Sequence, residues 1–75
     1  MSTTDEVVNI VSTVLGSPVD ASTSREINPN WDSLKHIEIM FSVEDDCGVK
    51  FSQDQLEGLR SVVDISAAVE QLRGA

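Results

Sequence analysis

Four helix-opening signatures punctuate this chain, and almost nothing between them alternates with the period of a strand. Thr3 with Glu6 and Ser52 with Gln55 have the spacing of capping boxes, Ser61 with Asp64 resembles one, and Asp32 is a good N-cap. After Thr3, the residues Val7, Ile10, Val11, Val14 and Leu15 recur at helical spacing, which predicts a first helix from near Thr4 to Gly16. After Asp32, the residues Leu34, Ile37, Met40, Phe41, Val43 and Cys47 predict a second helix from Ser33 to Asp46, stopped at Gly48. A short third helix follows Ser52 through Leu56 to Gly58, and the stripe Val62, Ile65, Val69 and Leu72 gives a fourth that ends at Gly74. The expected fold is all-α: a small four-helix bundle, three main helices plus one short third helix, with a long loop between the first two.

A chain of 75 residues has room for one core, so residues 1–75 are expected to form a single domain. Hydrophobic residues make up 40% of it, enough for that core and too many for a disordered acidic tail. The stretch 16–31 carries Pro18, Pro29, Asn28, Asn30 and a Ser/Thr cluster, all of which favour turns, with Val19, Ile27 and Trp31 as apolar pins. Loops of that length are usually functional or disordered; the pins favour an ordered one, which delivers the chain to Asp32-Ser33-Leu34. At roughly 100° per residue, the apolar positions of the second helix cover an arc of about 220°, leaving Lys35, Glu38, Ser42, Asp45 and Asp46 on the rest. So wide an arc predicts a central helix with one polar stripe. Val49-Lys50-Phe51 reads as an extended connector that buries Val49 and Phe51.

Thirteen acidic and five basic residues give a net charge of -8, which repels phosphate backbones and anionic lipid, so neither nucleic acid nor membrane is an expected partner. A basic protein surface is. The single cysteine, Cys47, has no internal disulfide partner, and Met1 to Glu6 lacks the charged and apolar regions of an export signal, so a cytoplasmic location is expected. No apolar run approaches the roughly 18 residues of a membrane-spanning helix.

Asp32, Ser33 and His36 are the residue types of a hydrolase triad, but an aspartate spent on a helix cap cannot orient an imidazole, and no glycine-rich oxyanion turn is present. Catalysis is not expected. His36 reads as a partly exposed side chain in the first turn, Cys47 as a small core residue and Trp31 as a packed lid over the core edge. One histidine and one cysteine cannot supply the three or four ligands zinc requires, and no calcium loop is present, so no metal is expected. Ser33 has a more suggestive address, because the unpaired N–H groups and positive dipole end of a helix start favour an anion. From these residues alone two readings stand: a seat for a phosphoester, or a helix cap in an acidic interaction module.

Asp-Ser-Leu opening the second of four helices in an acidic chain of this length resembles an acyl carrier protein. The likeness runs along almost the whole chain, most specifically through Trp31-Asp32-Ser33-Leu34-Lys35-His36-Ile37-Glu38 and onward to Asp46, then Val49-Lys50-Phe51 and Ser61-Val62-Val63-Asp64-Ile65. The resemblance implies that Ser33 carries phosphopantetheine, transferred from coenzyme A by a separate phosphopantetheinyl transferase to which Asp32 helps present it. The arm's thiol would then hold an acyl group as a thioester for delivery between enzymes. By the same resemblance Glu38, Asp45 and also Glu44 would meet basic patches of partner enzymes, including those that load and transfer the acyl group, and Leu34 and Lys35 are expected to touch the same partners, Lys35 with the contact reversed in sign. Ile37, Phe41, Ile65 and Val69 fall where some carriers shelter an acyl chain, and are equally explained as core. A monomer is expected.

Two departures stand out. Carriers of central fatty acid synthesis usually have an acidic residue after Asp-Ser-Leu, where this chain has Lys35, and reach the motif through Leu-Gly, where it has Pro29-Asn30-Trp31. The resemblance therefore implies a dedicated pathway, in secondary-metabolite, modified-lipid or surface-sugar assembly, ahead of housekeeping fatty acid synthesis. Peptidyl carriers share the serine but commonly show glycine before the motif and are less acidic, which leaves an aminoacyl cargo as a further alternative.

Overall fold

The computed structural model describes residues 2–74 and contains four helices in the order α1 (Thr3–Leu15), α2 (Ser33–Cys47), α3 (Gln53–Gly58) and α4 (Val62–Leu72). No strand occurs among the described residues; the nearest thing is an isolated antiparallel bridge between Ser24 and Ser61. The architecture is the expected helical bundle.

Each helix starts where a small polar side chain takes an otherwise orphaned N–H. Asp32 accepts from Lys35 N at 2.9 Å. At α3, Ser52 and Gln55 form the full reciprocal capping box. Ser61 accepts from Asp64 N at 3.1 Å. The cap of α1 is Ser2, which accepts from Asp5 N, and not Thr3, which is already helical. Glu6 is thereby free to pair with Arg73 at 3.0 Å, tying the first turn of α1 to the end of α4. Gly16 and Gly48 close α1 and α2 in the left-handed region, φ 72° and 69°, where a Cβ would be strained. The last helix stops at Leu72 and is capped by Arg73, two residues short of Gly74.

The core is made by Val7, Ile10, Val11 and Leu15 of α1, Ile39, Met40, Val43 and Cys47 of α2, Val62, Ile65, Ala68 and Val69 of α4, and Trp31, Val49 and Phe51 from the connections. The connector 49–51 buries Val49 and Phe51, and its backbone is held by Phe51 N donating to Glu44 Oε2 at 2.8 Å. α1 is the helix that packs extensively on both α2 and α4, so it, and not α2, occupies the central position. Leu72, expected on the buried stripe of α4, is exposed near the end of its helix.

The loop 16–31 is pinned along its length. Val19 N donates to Ser12 Oγ, Arg25 N to Arg60 O at 2.8 Å and Val62 N to Thr23 O at 3.1 Å, which fastens the loop to the α3–α4 junction. Asp20 accepts from the hydroxyl and the N–H of Ser22, and these bonds hold its carboxyl below the usual range. Two of the three expected apolar pins hold: Trp31 is buried and Val19 packs against the core. Ile27 is 68% exposed and pins nothing.

Candidate functional site

The loop ends by burying Trp31 under the start of α2, and that burial places Asp32 and Ser33 at the surface. Asp32 spends its Oδ1 on Lys35 N, so Ser33 is the first helical residue and its own hydroxyl does no capping. Ser33 is exposed, and its Oγ accepts a 2.8 Å hydrogen bond from Arg25 Nη2. An outward hydroxyl at the N-terminus of a 15-residue helix, with a guanidinium alongside, offers both space and positive potential to a phosphoester. These residues therefore fit the phosphopantetheine that the resemblance implies.

His36 departs from expectation. It is 5% exposed, and its ring lies between the loop and α3: Trp31 Nε1 donates to Nδ1 at 3.0 Å, and Nε2 lies 2.8 Å from Leu56 O. Indole N–H can only donate, so Nδ1 must accept, which puts the proton on Nε2 and makes it the donor to Leu56 O. Both ring nitrogens are occupied away from Ser33, and Asp32 faces the backbone, so the three residue types of a triad form no relay. No histidine, cysteine, aspartate and glutamate cluster suited to a metal occurs among the described residues. Cys47 is buried as expected, and that burial pushes its thiol pKa up.

The expected apolar arc of α2 divides in two. His36, Ile39, Met40, Val43 and Cys47 face the core, whereas Leu34, Ile37 and Phe41 are 66%, 51% and 56% exposed. Ile37 and Phe41 are thus not interior residues; Ile65 and Val69 are fully buried core. Ile37 and Phe41 form, with Leu56, the apolar floor of a groove of about 580 Å³ between α2 and α3, which Ser33, Arg25 and Arg60 border. Of the acidic stripe, Glu38 lies 3.7 Å from Lys35 Nζ, and Asp45 is exposed. Glu44 is turned to the Phe51 N–H and serves the fold. Arg25 gives no periodic signal in the sequence, being in a loop; tertiary backbone bonds, among them Arg25 N to Arg60 O, bring it to Ser33.

No family model matches the chain. Curated relatives do. The chain is 34% identical over 67 residues to a meromycolate extension acyl carrier protein of Mycolicibacterium smegmatis, covering 89% of this chain and 68% of that one. It is 36% identical over 67 residues to an acyl carrier protein of Rhodococcus erythropolis, covering 89% of this chain and 74% of the relative. Among solved structures, the holo acyl carrier protein of Geobacter metallireducens superposes with a TM-score of 0.82 at 28% identity, over 97% of this chain and 87% of that one. Shared along most of their length with these relatives, the sequence and its helical fold establish that the chain belongs to the acyl carrier protein family, whose members are carriers and not catalysts.

Proposed function

We propose that this chain, as a single domain, carries acyl groups as thioesters on a phosphopantetheine arm attached to Ser33, and delivers them between enzymes of a dedicated lipid pathway. The observation that carries the reading is the exposed Ser33 hydroxyl at the first position of α2, not used as a cap because Asp32 does the capping. When attached, the arm supplies a thiol that holds the acyl group. Ser33 Oγ is the atom that bears it, and the Asp32 carboxylate, fixed by Lys35 N, presents that oxygen to the transferase. Leu34, Lys35, Glu38 and Asp45, on the outer side of α2, form the surface that partner enzymes read. Their acidic members steer encounter with basic patches without demanding tight binding, which suits a carrier that visits several enzymes.

A lipid cargo is favoured over an aminoacyl one because relatives from two Mycolicibacterium species are named for meromycolate extension. The apolar groove floor beside Ser33 is consistent with it. No described helix is long and apolar enough to cross a membrane, and we place the carrier in the cytoplasm with its enzymes.

Incubation with coenzyme A and a promiscuous phosphopantetheinyl transferase tests the reading. A mass gain in the wild-type protein that Ser33→Ala abolishes is expected. An unchanged wild-type mass, with a known carrier loaded in parallel, would instead favour an acidic interaction module in which Ser33 only begins a helix.

A further inference from the structure

Of five basic residues in a chain with thirteen acidic ones, Lys35 and Arg73 form ion pairs, and neither ion pair found among the described residues includes Arg25. Arg25 instead spends one guanidinium donor on a neutral hydroxyl, Ser33 Oγ at 2.8 Å, which leaves further N–H donors of its fork uncommitted to that bond. A guanidinium lying on the Ser33 oxygen puts positive charge where an anion attached to that oxygen would meet it. The backbone that carries Arg25 is tied down. Arg25 N donates to Arg60 O, the Ser24–Ser61 bridge lies one residue back, and Ile27 N and Asn28 N both donate to Ser24 O.

From this we propose that Arg25 is the anion-binding residue for the phosphodiester that joins Ser33 to its arm. The inference rests on the reading of Ser33 above. A phosphodiester on Oγ brings a permanent negative charge within one residue of the Asp32 carboxylate, and the first-turn dipole offsets only part of that repulsion. A planar fork already in contact with the ester oxygen reaches the phosphate oxygens with little rearrangement and forms charge-assisted bonds to them. Arg25 also borders the groove between α2 and α3, so the clamp roots the arm on that side of α2.

The test compares apo and holo forms of the wild-type, Arg25→Gln and Arg25→Lys proteins, each holo form verified by mass spectrometry to carry one adduct on Ser33. Urea unfolding at low salt is expected to show attachment of the arm weakening Arg25→Gln about two- to fivefold more, in unfolding equilibrium constant, than wild type. That difference should shrink at about 1 M salt, where screening acts within about 3 Å. Arg25→Lys should recover part of it, and the phosphodiester ³¹P resonance should move between wild type and Arg25→Gln. Equal effects of the arm in both proteins with an unmoved resonance would overturn the clamp and leave Ser33 as the attachment point. A wild-type protein that takes no adduct would remove both claims.

Discussion

Trp31 donates its indole N–H to His36 Nδ1 across 3.0 Å, and that bond decides which nitrogen of the chain's one histidine carries the proton. Through Nε2 and Leu56 O, the same ring then joins the loop and α2 to α3 just beneath the serine. Heteronuclear NMR should find the Nε2–H tautomer, with Nδ1 as the acceptor of the indole N–H. His36→Ala strands a buried indole N–H and leaves Leu56 O without the ring, so it should cost about 2–4 kcal/mol by urea unfolding. Trp31→Phe keeps most of the apolar volume and should cost less. A double-mutant cycle should give a coupling of about 0.5–3 kcal/mol; a coupling of zero would mean the bond does not organise the site.

Cys47 is buried against α1 and its thiol is held protonated above the usual range by desolvation. A raised folded pKa contributes stability that is fully present below the unfolded thiol value, about 8.5, and is lost as pH rises through the folded value. Wild type should therefore lose stability relative to Cys47→Ala above about pH 8.5, measured as the difference between their urea midpoints across pH. Alkylation of the native thiol at neutral pH should be slow and should accelerate in denaturant. Rapid native labelling would show that the site is open.

Lys35 puts a cation at the head of α2, on the surface proposed above for partner enzymes. Its ammonium lies 3.7 Å from Glu38 Oε2, so Glu38 is partly offset, whereas Asp45 joins neither ion pair found among the described residues. Neutralising Asp45 (Asp45→Asn) should slow association with a loading enzyme about two- to threefold at low salt, and Glu38→Gln should slow it less. Both effects should fade with added salt. Stopped-flow association rates measured against ionic strength check this, and salt-independent losses would point to shape and not charge.

The helix starts were legible because capping is local chemistry: Asp32, Ser52 and Ser61 act within three residues of themselves. The end of α2 and the buried connector followed from Gly48 and from the alternation of Val49 and Phe51. What could not be read was which part of a wide apolar arc meets the core. His36 sits one turn before Ile39 and Met40 and so faces inward, where two polar neighbours make burial affordable; its polarity alone suggested the surface. Leu34, Ile37 and Phe41 are just as apolar as their buried neighbours yet lie largely exposed, Ile37 and Phe41 on the floor of an open groove. Likewise, Arg25 reaches Ser33 through tertiary backbone bonds that leave no trace in the local pattern.

Tandem mass spectrometry of proteolytic fragments, taken from the protein as it accumulates in the cells that make it, tests the attachment point most directly. The fragment spanning Ser33 should bear a phosphopantetheine adduct, with the fragment ions placing it on that serine. A bare Ser33 in cells whose other carriers are loaded, or an adduct on a different residue, would contradict the account.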